Sequence, residues 1–366
     1  MNDQDTVSPG RREWTEQELD TALYHVQVIA EPAEPQLATA RAALLRAVDE
    51  LTTTTAGVGS RRRWRRPVLI AAAVAALVTG GLIVPTLQWG GHAVNAAVAA
   101  EFNQAADAAA ARAAAGGDVT PAGQYRYIDI VAWDESMYFD NGSSLYAFLQ
   151  QSRRQIWVPA DWHSTWLQRE STTGQRKWIH GSEKDAVAAG EPKDNVASTS
   201  PELTGPCQPY FTNVCTAQGS WQTPTQAWIA GLPRNGDDMY DRLYDDSKGH
   251  GQSQEDEMLV QATDALRTGL LPASVQATLY RAMAQIGGVE ISDTAVNLDG
   301  EVGTGFTVSS PALRDETIID PKTGEFIGTR TITLSDDTDD HIPAGTVIDY
   351  TAVHTETVKT LGATHP

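Results

Sequence analysis

The sequence predicts an α+β protein in three parts. These are a cytoplasmic helical hairpin, one transmembrane helix, and an extracytoplasmic antiparallel curved sheet with helices packed on one face. Three observations lead there. "RRRWRR" at 61–66 is followed by an uncharged, mostly apolar run over 67–87. From residue 288 onward, five short segments alternate apolar and polar residues between turn-rich connections. Two regions, one before the arginines and one over 235–286, place apolar residues at helical spacing. The parts are 1–60, a two-helix tail and linker; 61–88, the basic flank and membrane helix; 89–120, an alanine-rich juxtamembrane helix; and 121–366, the outer domain.

In the tail, Thr15 and Glu18 have capping-box spacing, and Leu19, Leu23 and Val26 mark one face of the helix that follows. Pro32 and Pro35 stop it. A second helix over about 34–51 carries Leu37, Leu44, Val48 and Leu51 on one side, with Ala40 and Ala47. Two such helices make a poor core alone. They form either a weakly packed hairpin or a module whose stripe docks into a partner's groove. Four arginines against ten acidic residues in 1–60 disfavour lying on the inner leaflet.

The run 67–87 offers 21 positions, against the roughly 20 that cross a hydrocarbon core. Pro67 suits a first helical turn, Pro85 lies near the far end, and Trp64 and Trp89 suit the two interfaces. Arg61, Arg62, Arg63, Arg65 and Arg66 set the orientation, because basic flanks stay cytoplasmic. A buried soluble helix does not normally carry that flank. A cleaved signal peptide needs a short leading region, and sixty residues precede this one. A nucleic-acid patch fits poorly so close to an apolar run. The expected location is the plasma membrane, with the N-terminus cytoplasmic and the C-terminal domain outside.

Outside, an alanine-rich helix over 94–115 ends at Gly116 and Gly117. "QYRYIDIVA" reads as a strand over 124–132; "SRRQIWVPA", "HSTWLQRES" and "RKWIHG" read as three more. Residues 182–225 read as loop. Helices return in "NGDDMYDRLYDD", "SQEDEMLVQATDALRTGLL" and "PASVQATLYRAMAQI", the last with Val275, Leu279 and Met283 on one face. The five final strands, "GVEISDTAVNL", "VGTGFTVSS", "RDETIID", "GEFIGTRTITL" and "GTVIDYTAVHTETV", form an antiparallel meander through turns such as "DPKTGE".

Charge narrows the partners. Residues 67–366 hold 18 basic and 37 acidic groups, so the outer domain is repelled by nucleic acid and by anionic headgroups. No direct nucleic-acid binding is expected. The chain carries no H-E-x-x-H, no G-x-S-x-G, no Walker A loop and no strand–helix G-x-G-x-x-G. Neither an enzyme nor a cofactor is expected. His163, His180, His250, His341 and His354 read as isolated surface or structural residues. Cys207 and Cys215 are expected to form a short-loop disulfide, because the outer compartment is oxidising. A zinc site is not expected there, since no histidine or second cysteine pair is near in sequence. The acidic turn 336–340 lacks the glycine and terminal glutamate of a calcium loop, and a solvated turn is favoured over a calcium site. Asp237, Asp241 and Asp245 read as a solvated helix face.

Six of the ten tryptophans fall between 150 and 230. They are either core or the wall of an apolar pocket on the sheet, with Trp157, Trp166 and Trp178 as its candidates.

"RRRWRRPVLIAAA", "GQYRYI", "RRQIWVPADW", "DRLYDD", "LYRAMAQIGGVEI" and "DPKTGEFIGTR" occur in that order. In this the chain resembles a family of uncharacterised single-pass membrane proteins from actinobacteria, over most of its length. Members often accompany extracytoplasmic-function sigma factors, so the resemblance implies an anti-sigma-like role with a sigma factor as cytoplasmic partner. It supplies no catalytic residues. The zinc-containing anti-sigma module is excluded, because His25 is alone and the tail has no cysteine. The "RDETIID…GEFIGTR" layout is similar to lipoprotein-carrier half-barrels, by fold analogy only. The resulting expectation is an outer domain that senses an envelope condition or apolar ligand, and inner helices that hold a partner through Leu37, Leu44, Val48 and Leu51. The alternative is an outer lipid- or lipoprotein-binding module with no signalling role.

Overall fold

An alanine-rich helix opens the part of the chain that the computed structural model describes. That part is 94–365, apart from 118, 141–142, 191–196, 208–212 and 309. The tail helices with Leu37, Leu44, Val48 and Leu51, the arginine flank 61–66 and the run 67–87 lie outside the described residues. Among the described residues, no helix is long and apolar enough to cross a membrane.

Helix α1 (Ala96–Arg112) starts where the Asn95 side chain accepts the N–H of Ala97 at 3.0 Å. It buries Val98, Phe102, Ala105, Ala106 and Ala109, the stripe that helical periodicity requires. It ends in a wider turn, Ala113–Gly117, where Gly116 takes a left-handed φ of 95°. The small residues on α1 admit Gly324 to close approach. A β-carbon at that glycine would overlap the backbone of Ala105 and Ala109.

Strands β1 (Tyr125–Asp140), β2 (Ser143–Pro159) and β3 (Thr165–His180) follow as an antiparallel meander. They are longer than the sequence predicts. "HSTWLQRES" and "RKWIHG" belong to one strand, interrupted by irregular pairing near Gln150 and Ser152. The segment read as loop holds helix α2 (Glu183–Ala188), strands β4 (Ser198–Thr199) and β5 (Leu203–Pro206), and Thr225, the N-cap of helix α3 (Gln226–Gly231). Helices α4 (Gly236–Ser247), α5 (Gln254–Arg267) and α6 (Ala273–Met283) come next. Asn235 and Ser253 cap α4 and α5, each accepting a backbone N–H three residues on.

Strands β6 (Val289–Val296), β7 (Val302–Val308), β8 (Leu313–Asp320), β9 (Glu325–Thr333) and β10 (Val347–Val358) make the second meander. The sheet order is β4-β3-β2-β1-β10-β9-β8-β7-β6, with β5 also on β3. The two meanders are joined by β1 and β10, which pair antiparallel from Tyr125↔Val358 to Asp134↔Asp349.

The helices pack on one face. Ile128, Ile156, Trp166, Phe306, Ile319 and Val353 meet Phe102, Leu259, Leu266, Leu279 and Met283 there in the main core. Alternation sends the intervening residues to the opposite face. At one end of it Tyr127, Trp157, Leu167 and Val358 form a small cluster, and Trp157 Nε1 donates to the carbonyl of Ala363 at 2.5 Å.

Candidate functional site

Along β1, Tyr125, Tyr127, Asp129, Val131 and Trp133 alternate onto the helix-free face. Most of that face is polar, with Arg153 paired to Asp129 at 2.6 Å and Arg169 to Glu202 at 2.6 Å. Trp133 departs from this pattern. Its strand neighbours are Tyr350 on β10 and Gln151 on β2; two residues on, Glu135 faces Leu149, and Leu149 faces Lys177. A cleft of about 460 Å³ opens among Trp133, Leu149, Lys177, Ile179, Val347 and Tyr350. That volume lies in the range of small-molecule sites.

The connection between β9 and β10 contributes Pro343 and Thr346 to the cleft. It is held by the Asp337–Ile342 bridge and by Ala344 N–H donating to Asp336 Oδ1 at 2.8 Å. Tyr350 is oriented by its hydroxyl, which donates to the carbonyl of Asn297. Trp133 is only 4% exposed and Leu149 only 7%, so the floor is preformed. Lys177 Nζ lies 4.0 Å from the Trp133 ring centroid, a cation–π arrangement at the mouth. Beside it, Glu135 has a buried Oε1 without a hydrogen-bond partner. Burial, then Asp340 and Asp337, push its carboxyl above the ordinary value. An apolar floor with one cation at the rim suits an amphiphile: the chain is desolvated against the rings while the head stays near water.

The tryptophans flagged from sequence do not form one site. Trp178 lines the cleft edge and meets Phe148 in a T-shaped contact at 5.1 Å. Trp157 is fully buried under the C-terminal residues on the same face, away from the cleft lining. Trp166 is fully buried in the main core, its Nε1 donating to the Trp162 carbonyl at 2.8 Å. The principal aromatic of the cleft, Trp133, lies outside the tryptophan-rich stretch. Its signal was the alternation of "YRYIDIVAW"; nothing local points to Lys177 or Tyr350.

Cys207 and Cys215 are joined in a disulfide with a Cα–Cα distance of 5.3 Å. No histidine is near them in sequence, but the fold brings His163 from 44 residues upstream, its Nδ1 3.6 Å from Cys207 Sγ. His180 and His341, expected to be isolated, have ring centroids 5.0 Å apart. In the acidic turn, Asp337 accepts the N–H groups of Asp339 and Asp340 at 3.1 and 3.0 Å. Among the described residues, His163, Cys207 and Cys215 form the one group of three whose ligand atoms converge, and the turn 336–340 forms none. Asp237, Asp241 and Asp245 are exposed along α4.

A second, polar cavity of about 200 Å³ lies by Arg112 and Arg126. Arg112 is already engaged there by Glu325 at 3.1 Å and Gln276 at 2.6 Å. Comparison of the chain with protein-family models, curated proteins and solved structures gives no match.

Proposed function

We propose that the protein is a single-pass plasma-membrane regulator. Its outward α+β domain binds an envelope amphiphile in the Trp133 cleft, and its cytoplasmic helices hold a transcription-related partner in the manner of an anti-sigma factor. The observation that carries the outer half is the open apolar floor of Trp133, Leu149 and Val347 on a face that also carries the ion pairs of Arg153 and Arg169. The single antiparallel sheet with helices on one face supports reading the domain as a lipoprotein-carrier-like half-barrel. The inner half rests on the sequence: the arginine flank, the run 67–87 and the stripe Leu37, Leu44, Val48 and Leu51.

The test uses the full chain in native membranes with a diazirine-bearing fatty acid. Crosslinks are expected on Trp133, Leu149, Ile179 or Val347, and Ile179→Asp is expected to remove them. Labelling confined to 67–89 would defeat the ligand assignment. A crosslinking pull-down then compares the full chain with one lacking 1–60, and with Leu44→Glu. Loss of a sigma factor in both variants supports the regulatory half. Unchanged retrieval supports the second reading, an outer lipid- or lipoprotein-binding module with no cytoplasmic role.

A further inference from the structure

We propose that His163, Cys207 and Cys215 become a soft-metal site, for Zn²⁺ or Cu⁺, when the disulfide is reduced. The three ligand atoms already lie within 4.8 Å of one another. Each is positioned by a different element. His163 sits in the β2–β3 turn, where its N–H donates to Asp161 Oδ1 at 3.0 Å and Ser164 N–H donates to the Asp161 carbonyl at 2.8 Å. Cys207 follows β5, whose pairing of Pro206 with Thr165 places it beside that turn. Cys215 follows Val214, which is 5% exposed in the main core, and its own N–H donates to Asn213 Oδ1 at 3.0 Å.

The backbone therefore holds the ligands together without the covalent bond. Val214 N–H donates to the Cys207 carbonyl at 3.0 Å, so the two cysteine segments stay joined after reduction. Two sulfurs on one tetrahedral zinc, each at about 2.3 Å, sit roughly 3.8 Å apart. A Cα separation of 5.3 Å permits that by side-chain rotation. Two thiolates and an imidazole are the donor set that selects these ions over hard cations. His163 is exposed, which leaves an approach for the ion and a coordination position for water.

The chemistry balances with a dithiol as reductant. Its two sulfurs become a disulfide, the Cys207–Cys215 bond breaks, and two electrons and two protons arrive on the protein as two thiols. Metal binding releases both thiol protons, and the imidazole binds as the neutral form through Nδ1. The site is thus closed in an oxidising compartment and opened by thiol–disulfide exchange.

The experiment uses the full chain in detergent, reduced with dithiothreitol, desalted anaerobically and checked by thiol titration. Co²⁺ is the probe. Reduced protein is expected to show thiolate-to-cobalt charge-transfer and tetrahedral d–d bands, which Zn²⁺ abolishes, while oxidised protein shows neither. Cys207→Ser should remove the tight binding. His163→Ala, at an exposed position, should weaken Co²⁺ binding at least about tenfold with unchanged circular dichroism. The assignment is overturned if reduced protein gives no bands, if oxidised protein binds equally, or if His163→Ala binds as wild type. It also fails if the disulfide yields only when the domain unfolds.

Discussion

Lys177 Nζ stands 4.0 Å from the centre of the Trp133 ring, although the two residues are 44 positions apart and on strands that do not pair with each other. The lysine is exposed and the ring is not, so the cation marks the mouth of the cleft and the ring its floor. Lys177→Ala is expected to weaken binding of a long-chain carboxylate roughly two- to fivefold, the worth of an exposed ion pair. The alcohol of equal chain length should bind unchanged. Competition against the diazirine probe measures both; equal losses for the two ligands would mean that Lys177 only packs on the ring.

Phe102 of α1 stacks on Phe306 of β7 with centroids 3.8 Å apart, and both are almost fully buried. Phe102→Ala removes a large side chain from the main core, at a cost of about 3–5 kcal/mol. A fall in denaturation midpoint with loss of near-ultraviolet dichroism checks this. A change below about 1 kcal/mol, the size of many ordinary substitutions, would show that α1 is not part of the cooperative unit.

Asp349 lies on the helix-bearing face, where its Oδ1 is buried without a hydrogen-bond partner. Burial is the main reason its pKa is pushed up to about 6; Arg267 opposes, and Asp134 and Asp315 add to the rise. The folded value exceeds the ordinary aspartate value of about 3.9. Asp349 therefore contributes stability below about pH 4 and loses it as pH rises through about 6. Asp349→Asn should stabilise the protein at pH 7 by on the order of 1–2 kcal/mol, and the gain should vanish by pH 4. Unfolding midpoints at the two pH values test the sign.

Glu316 on β8 is fully buried between Arg330, at 2.6 Å, and Arg314, at 2.9 Å. Removing its carboxylate by Glu316→Ala leaves a desolvated guanidinium at Arg330, costing about 3–5 kcal/mol. The pair Glu316→Met with Arg330→Met should cost less than the single change, because the more buried guanidinium is then gone and only the more exposed Arg314 loses its partner. A double-mutant cycle by urea unfolding resolves the two terms.

Much of the local structure was legible. The alternation in 345–358 and the apolar face of Val275, Leu279 and Met283 each depend on residues within a few positions. Strand ends were less so. "RKWIHG" looks separate because pairing breaks near Gln150, where Gly174 takes a left-handed φ of 77°, and a glycine there reads equally as a turn or as a bulge within one strand. The short elements in 182–225 were missed because polar turn residues also cap short helices, as Ser182 and Thr225 do.

By itself, then, the sequence determined the longer helices and the strands of the second meander in their order, and the cysteine pair, because period and turn chemistry act between near neighbours. Tertiary structure alone decided the sites. The pairing of β1 with β10, more than 200 residues away, sets Trp133 against Tyr350, and β5 on β3 carries Cys207 to His163. Such register follows from which apolar faces can be buried together across the whole sheet, a choice that no local window contains.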